Sequence, residues 1–421
     1  MFGFFESQEK KMRDNAANWL EVADKVYHFR RDLLPAMQVT ELQSQASGLR
    51  TLLKERAGAE KLKLAIERLE EILRRTGGSI YPKNALVENI DFFLVAAIVI
   101  LGIRTYFVQP FKIPTNSMWP TYNGMTPEVW QKPDDAPGPL LQAARFVLFG
   151  AQHKEVIAPD SGLITVPVYR RGTGLDGRIY REAKPARSWF VFPTTNREYT
   201  FFVNESPVHL EVPEDFDFDW AFQEAFGLTA AQLADLAEKS TRGSTGVHFV
   251  TLDRRAERGK PLISFDILTG DQLFVDRITY HFAKPEVGQG FVFRTGNIAG
   301  IGQDQYYIKR LIGTPGDTIE IHEPVIWRNG RPITGADAFE ENARREGKYR
   351  GYFNGVLANG ARYLLTGNES LTVPTDGYFA MGDNSGNSAD GRYWGFVPAK
   401  DVVGRPLFVY FPFTRHWGPA K

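Results

Sequence analysis

The stretch Pro114-Thr115-Asn116-Ser117-Met118-Trp119-Pro120-Thr121 holds a serine in a short segment between two prolines. Proline fixes one backbone angle and removes a donor, so this segment favours a turn over a helix or a strand. An uncharged apolar run, residues 92–103, ends shortly before it. A serine in a turn is usually only a solvated polar residue, so its meaning depends on what surrounds it in the chain.

The apolar run is by itself shorter than most membrane spans, and a buried helix is the alternative. Extended over residues 84–108, however, it is long enough to cross a bilayer with some tilt. Lys and Arg are dense on its N-terminal side, whereas only Arg104 and Lys112 lie close on the other side. This bias predicts one transmembrane helix at 84–108, with the N-terminus in the cytoplasm and most of the chain outside.

The sequence of residues 1–83 predicts that this region is helical and cytoplasmic. Apolar residues recur at helical spacing between charges over residues 10–76, and Gly77-Gly78 ends the pattern. Two interpretations remain open for this region: a coiled coil that binds a partner, and a solvated helical hairpin with no specific role.

The composition excludes several classes of function. Among 421 residues, Lys and Arg together number 50, as do Asp and Glu, so no net charge indicates nucleic-acid binding. The chain has no cysteine, which excludes disulfides, thiol catalysis and thiolate metal sites. The N-terminus lacks the basic segment and long apolar run of a cleaved signal peptide.

After Pro110, short runs of β-branched and aromatic residues between Gly, Pro and Asp turns predict a mainly β domain, made of residues 109–122 and 269–421. Residues 123–268 interrupt it with strand and helix patterns of their own, among them a strand pattern at 189–192, and predict a large inserted α+β domain. A smaller insertion is predicted at 318–376, where Asn329-Gly330 signals a hairpin.

Three later stretches give weight to Ser117, at residues 270–277, 307–317 and 381–398. A serine hydroxyl needs a base to attack an amide, and none of the seven histidines lies in these stretches. Lys309 lies in a strand-like run in the second one. Burial in an apolar site would lower its pKa and make the neutral amine a base, whereas a lysine in such a run is ordinarily an exposed strand residue.

Together, these four stretches and their order resemble the characteristic boxes of the type I signal peptidases, membrane-bound Ser–Lys proteases that remove signal peptides from exported proteins. The resemblance covers residues 100–121 and 270–398 with gaps. It implies a signal-peptidase-like β fold for the catalytic domain, and it strengthens the prediction of a membrane span. It implies neither a metal nor a cofactor.

The resemblance also implies a role for individual residues. Ser117 is similar to the nucleophile and Lys309 to the general base, while the Thr115 hydroxyl and the Ser117 backbone N–H correspond to the oxyanion hole. Ser388 resembles the residue that orients the lysine, and Asp390 and Arg392 resemble an ion pair that holds the last box. The apolar walls of the pockets for small substrate residues correspond to Phe111, Ile113, Pro114, Tyr122 and Ile308.

The sequence departs from the family pattern at Asn116, where a glycine is common, and at Ser385, Gly386 and Gly391. The larger departure is the insertion that begins after Tyr122. Because it flanks the predicted site, it can gate substrate or dock a partner; a passive surface elaboration is the alternative.

The predicted function is that of a membrane-bound serine endopeptidase of a bacterial cytoplasmic membrane, which removes signal peptides after small residues. The implied partners are preprotein signal peptides, the lipid bilayer and the protein export machinery. Two alternatives are a specialised peptidase of the same family for one dedicated substrate, and a non-catalytic membrane-anchored scaffold. A serine-reactive probe that fails to acylate Ser117 would favour the scaffold.

Overall fold

The computed structural model describes residues 8–81, 85–132, 135–171, 176–188, 192–242, 246–355 and 361–421. Two compact units, Met1–Leu101 and Gly102–Lys421, make up the chain. The predicted boundary between residues 83 and 84 lies outside the described residues. The boundaries predicted for the inserted domain remain predictions, because residues 123–268 fall within the second unit.

The first unit contains packed helices α1 (Gln8–Arg30), α2 (Ala36–Lys54) and α3 (Ala59–Thr76). Pro35 precedes α2 and Gly58 precedes α3, so the helical pattern of residues 10–76 is divided where the sequence permits a break. Each helix contributes an apolar stripe to one shared core, which includes Leu20, Leu49 and Leu69. These helices therefore bury their apolar faces against one another, which a simple hairpin of two helices does not require.

Helix α4 (Ala85–Tyr106) corresponds to the predicted membrane span. Within Leu86–Tyr106, a window of 18 residues has a mean hydropathy of 2.2, and none of that window is buried in the protein. By length and composition, this helix is able to cross a bilayer. The structure ends it before the predicted limit, because Val108 already begins a strand.

The first half of the second unit packs around a core rich in phenylalanine. Strand β1 leads to the Ser117 turn, and the later strands make a sheet in the order β6-β7-β4-β10-β9, with β5 beside β4 and β8 beside β7, and a sheet in the order β2-β11-β3. The predicted strand 189–192 lies outside the described residues except for Phe192. The element bounds are β1 Val108–Lys112, β2 Thr126–Val129, α5 Pro139–Phe149, β3 Gln152–Ile157, β4 Gly162–Arg171, β5 Asp176–Ile179, β6 Arg181–Ser188, β7 Phe192–Val203, β8 Ser206–Pro213, α6 Phe218–Phe226, α7 Ala230–Glu238, β9 Thr241–Arg242, β10 His248–Ala256 and β11 Pro261–Leu268.

The second half completes the sheet that carries the predicted site, in the order β1-β12-β21-β13-β14-β19-β20, with β22 beside β21. A smaller sheet has the order β17-β16-β15-β18, and its β16–β17 pair confirms the hairpin predicted at Asn329-Gly330. The bounds are β12 Gln272–Asp276, β13 Gly290–Arg294, β14 Tyr306–Gly313, β15 Thr318–His322, β16 Val325–Arg328, β17 Arg331–Pro332, α8 Asp337–Arg344, β18 Ser370–Thr372, β19 Gly377–Met381, α9 Gly391–Trp394, β20 Val397–Pro398, β21 Val402–Phe411 and β22 Gly418–Pro419.

The long segment between β1 and β12 leaves the site-bearing sheet and returns to it at one point. The backbone N–H of Asp271 donates to the carbonyl oxygen of Asn123 at 2.8 Å, and the N–H of Asn123 donates to the Asp271 carboxylate at 2.7 Å. Strands β1 and β12, which flank the segment, pair in unbroken antiparallel register. Residues 123–268 can therefore be long without disturbing the sheet, because their two ends are already adjacent.

Two buried ion pairs fix the loop that follows β19. Arg310 on β14 binds the Asp383 carboxylate through two nitrogens, at 2.6 and 2.8 Å, and Thr121 donates to the same carboxylate at 2.6 Å. Arg392 and Asp390 form a second pair at 2.9 Å that is inaccessible to solvent. Multiple hydrogen bonds compensate the cost of burying these charges, so each pair depends on both partners.

We expect Asp383→Asn to destabilise the second unit strongly, because it leaves the Arg310 guanidinium buried without its counter-charge. Breaking such a pair typically costs about 3–5 kcal/mol. The measurement is the urea midpoint of tryptophan fluorescence in detergent. Asp304→Asn is the matched control, since its ion pair with Arg294 is exposed to solvent. Equal midpoints for the two variants would contradict the importance of the buried pair.

Candidate active site

The turn that carries Ser117 is held by the side chain of its neighbour. Residues Asn116–Met118 form a single 3-10 turn, and the Asn116 amide donates to the Met125 carbonyl at 2.7 Å and accepts from the Gly124 N–H at 2.9 Å. Asn384 also donates to the Asn116 carbonyl at 2.9 Å. Asparagine therefore does more here than tolerate the turn, since its amide joins the turn to the chain that follows.

Lys309 lies on β14 and reaches the serine across the site. Its Nζ donates to the Ser117 Oγ at 2.5 Å, although the two residues are 192 positions apart in sequence. Both side chains are buried, and Lys309 is only 4% exposed. Of the seven histidines, none is needed to explain this contact, because the lysine already occupies the position of a base beside the hydroxyl.

The surroundings of Lys309 favour its neutral form. Burial lowers the pKa of Lys309 to about 8, even though the carboxylates of Asp390 and Asp383 favour the charged amine. The ring of Tyr307 lies 5.4 Å from Nζ, and a ring face at this distance also favours the charged amine, so burial outweighs this contact as well. An amine with this pKa is partly unprotonated near neutral pH and can accept a proton from a hydroxyl.

Of the supporting residues, the structure brings Asp390 and Arg392 together but leaves Ser388 apart from the lysine. The Ser388 hydroxyl is buried and has no hydrogen-bond partner within the described part of the chain. It packs against Gly382, because a methyl group added at that glycine would lie 2.2 Å from Ser388 Oγ and 2.4 Å from the Ser117 carbonyl oxygen. The predicted hydrogen bond from Lys309 to Ser388 is therefore not formed, although the amine has donors beyond the one that it gives to Ser117.

A cavity of about 760 Å³ opens in front of the Ser117–Lys309 pair. Four of the five predicted pocket residues line it: Phe111, Ile113, Pro114 and Ile308. Thr115 also lines it and is exposed there, in extended backbone immediately before the serine turn.

The fifth predicted pocket residue, Tyr122, lies behind the cavity wall. It is 1% exposed and packs with Ile113 and Met118, while its hydroxyl donates to the Lys421 carbonyl at 2.6 Å. Its aromatic ring therefore supports the wall from the core side and does not face the cavity.

The opposite wall of the cavity comes from residues 123–268. Arg178, Arg181 and Arg197 line the cavity together with Asp215 and Asp219. Desolvation by neighbouring protein atoms lowers the pKa of Lys112, although part of its side chain is exposed, and the nearby Asp215 carboxylate opposes this shift by favouring the charged form.

The same segment approaches the other end of the serine turn. The rings of Trp220 and Trp119 meet edge to face, with centroids 5.6 Å apart. The segment 215–220 thus runs beside the whole stretch from Lys112 to Trp119.

Reasoning from the sequence missed three parts of this site. Arg310 and Asp383 stand within the stretches that were singled out, but their pairing requires knowledge of which strands are neighbours. The charged residues of the opposite wall had no local signal, since they come from separate strands and loops of the long segment. Asn384, which binds the Ser117 carbonyl through its backbone N–H at 3.1 Å, was likewise hidden in a glycine-rich loop.

Comparison with known proteins places these residues in a family. A family model described as signal peptidase, peptidase S26, matches residues 263–411, which include Lys309, Ser388, Asp390 and Arg392 but not Ser117. A probable signal peptidase I-1 of Synechocystis is 34% identical over 152 residues, which are 35% of this chain and 66% of the relative. For the signal peptidase I P of Bacillus subtilis subsp. natto, the identity is 37% over 154 residues, 35% of this chain and 72% of the relative.

A crystal structure of a signal peptidase I from Enterococcus faecalis is 29% identical and covers 29% of this chain and 97% of that chain, with a TM-score of 0.23. The chain spans slightly less than two thirds of the length of the first curated relatives it matches, from 57% to 66% for three of them. The identities and the family match together show that this chain belongs to the type I signal peptidases of the S26 family.

Proposed function

We propose that this protein is a membrane-anchored serine endopeptidase that removes signal peptides from exported proteins, with Ser117 as nucleophile and Lys309 as general base. The observation that carries the proposal is the 2.5 Å contact between Nζ and Oγ at a buried lysine with a pKa of about 8. The relatives named as signal peptidases supply the class of substrate. No step requires a metal or a cofactor.

The reaction proceeds through an ester on Ser117. The neutral Lys309 amine takes the hydroxyl proton while Oγ attacks the carbonyl carbon of the scissile peptide bond. The Thr115 hydroxyl and the Ser117 N–H donate to the resulting oxyanion. The Lys309 ammonium then protonates the leaving amine, the C–N bond breaks, and the signal peptide remains as the acyl group.

Hydrolysis repeats the cycle with water. Lys309 accepts a proton from the water that attacks the ester, and the same proton returns to Ser117 Oγ as the acid leaves. Asp390 and Arg392 hold the loop behind the lysine, and Ser388 completes its surroundings. The Ser388 hydroxyl has no partner among the described residues, and its proposed role is to accept a hydrogen bond from the Lys309 amine once Oγ is acylated.

The cavity walls account for cleavage after small residues. Phe111, Ile113, Pro114 and Ile308 form an apolar surface in front of the serine. Such a surface accepts a methyl side chain and excludes larger ones by overlap. Helix α4 anchors the protein in the bacterial cytoplasmic membrane, with residues 1–83 on the cytoplasmic side and the catalytic domain, residues 109–122 and 269–421, outside. The bilayer and the export machinery are the proposed neighbours there.

A second candidate function is a specialised peptidase for a dedicated substrate, and the wall contributed by residues 123–268 favours it. Arg197 lies on this wall and forms no ion pair within 4 Å in the described parts of the chain, although its charge acts on the Asp215 carboxylate of the same wall. A substrate with an acidic residue close to its cleavage point would find a counter-charge there. We propose that the inserted domain, residues 123–268, selects among preproteins in this way.

We expect Ser117→Ala and Lys309→Ala each to abolish cleavage of a model preprotein in detergent, with losses of roughly 10⁴-fold or more in kcat/KM. Ser264→Ala is the matched control for the serine, because its hydroxyl is also buried and has no partner among the described residues. Lys284→Ala, at an exposed lysine, controls for the loss of a charge. Folding is checked by thermal melting, and substantial activity in a folded Ser117→Ala or Lys309→Ala variant would refute the pair.

The pH dependence follows from the lowered pKa of Lys309. Because the neutral amine is the active form, kcat/KM should be low in acid, rise about tenfold per pH unit, and level off above a pKa of about 8. The measurement is a pH–rate profile at substrate concentrations below KM, which reports the free enzyme. A midpoint near 10.5, the ordinary value for lysine, would show that the amine is solvated and would contradict its role.

We expect Arg197→Ala to reduce cleavage of a preprotein with an acidic residue near the cleavage point by up to about fivefold, since partly exposed ion pairs contribute about 0.2–1 kcal/mol. Cleavage of the same preprotein with a neutral residue there should be unchanged. Arg187→Ala serves as control, because this arginine on β6 is exposed and does not line the cavity. Equal effects of Arg197→Ala on both preproteins would leave the wall without a role in selection.

A further inference from the structure

Helix α5 exposes most of its apolar side chains and turns its polar ones, Gln142 and Arg145, toward the protein. Leu140 and Val147 are 87% and 68% exposed, and Leu141 and Phe146 are exposed as well. The less exposed positions of this helix are Gln142, Arg145 and Phe149, which recur at helical spacing. A helix on a water-facing surface shows the opposite arrangement.

The inward orientation of the polar face is fixed by charge. Arg145 donates to the buried Asp266 carboxylate at 2.7 Å and to Glu128 at 2.5 Å, and it lies over the ring of Trp130. Gln142 donates to the Pro137 carbonyl at 2.8 Å. The helix therefore cannot turn its apolar side chains inward without breaking these bonds, and their exposure is built into the fold.

The exposed face continues onto the end of the chain. The Phe413 N–H donates to the Leu148 carbonyl at 3.0 Å, and the ring of Phe413 lies 6.3 Å from that of Trp417. Both rings are more than half exposed, and Arg415 between them is exposed too. Tryptophan beside a basic residue suits the boundary between acyl chains and headgroups.

The path along the chain from the end of α4 to this surface is short. Helix α4 ends at Tyr106, and β1 begins two residues later, with the Phe107 carbonyl accepting from the Arg277 N–H at 3.0 Å. From there the distance is about 17 Å along β1 and about 10 Å across two strand spacings to Phe411, next to the exposed rings. Helix α5, at eleven residues, is too short to span about 30 Å of hydrocarbon, so it would lie along the surface.

We propose that α5, with Phe413 and Trp417, inserts its apolar face into the surface of the lipid bilayer as a second membrane contact. The proposal rests on the membrane anchoring proposed above for α4, but not on the peptidase activity. Helix α5 belongs to residues 123–268, whereas Phe413 and Trp417 follow β21, so the long segment adds its own apolar face beside the two exposed rings. This contact holds the second unit against the membrane by a face that is separate from the anchor helix.

The test uses the full chain, whose lack of cysteine permits single labels. An environment-sensitive fluorophore is attached to Val147→Cys on α5, to Ile98→Cys in α4, and to Glu205→Cys in the exposed turn between β7 and β8. Each variant is reconstituted in liposomes that contain anionic lipid. Quenching is measured with lipids carrying a nitroxide near the headgroup, with lipids carrying it deep in the acyl chain, and with aqueous iodide.

We expect the label on Val147 to be quenched several-fold more by the shallow nitroxide than the label on Glu205, and to be protected from iodide. Quenching by iodide as strong as at Glu205 would overturn the inference. Protection from both lipid and iodide would also overturn it, because a polypeptide, such as a second copy or a substrate, would then cover the helix.

The label on Ile98 decides the anchoring separately. Strong quenching there by the deep nitroxide supports α4 as a span, whatever the label on Val147 reports. Val147→Asp, a charged substitution at an exposed position, should move a label at Leu141→Cys into water without lowering thermal stability in detergent. A preserved lipid signal in that double variant would contradict the role of the apolar face.

Discussion

The site depends on excluding water from the Lys309 amine where it lies beside the Ser117 hydroxyl. Lys309 is buried and yet lies near two carboxylates, those of Asp390 and Asp383, which favour its charged form. Each carboxylate is already bound by an arginine through several hydrogen bonds, Asp383 by Arg310 and Asp390 by Arg392. Because the arginines compensate these charges, the lysine is not needed as a counter-ion, and burial prevails in setting its pKa. The two ion pairs therefore favour the neutral amine, and they also hold the loop that follows β19 in place.

This constraint explains where the chain tolerates a long segment. Asn123 and Asp271 exchange two hydrogen bonds, so the sheet continues from β1 to β12 as if residues 123–268 were absent. The segment does not change the pairing of β14, the strand that bears Lys309, since β14 lies between β13 and β19. Changes in the segment can therefore alter one wall of the cavity without altering the buried surroundings of Lys309.

The sequence predicted which residues belong to the site better than it predicted which of them contact one another. Ser117 and Lys309 stood in recognisable stretches, and the structure brings them into contact, whereas their roles remain proposals. The position of Tyr122 behind the wall could not be inferred, because its hydroxyl is directed by the distant Lys421 carbonyl. Ser388 was expected to bind the lysine, but its hydroxyl lies against Gly382. Helix periodicity predicted α1 to α3 as helices, but their packing into one core depends on tertiary contacts.

Packing contacts connect helix α5 to the cavity wall. Asp266 on β11 accepts hydrogen bonds from Arg145 of α5 and also contacts His153 on β3 and the indole of Trp130. Strand β11 leads within a few residues to Gly270, where a methyl group would lie 1.8 Å from the Ile113 carbonyl oxygen in the cavity wall. Because the contacts along this path are close-packed, α5 and the cavity wall cannot shift much relative to one another. A bilayer contact at α5 would consequently fix the depth of the cavity relative to the membrane, and with it the point at which an extended substrate emerging from the bilayer meets Ser117.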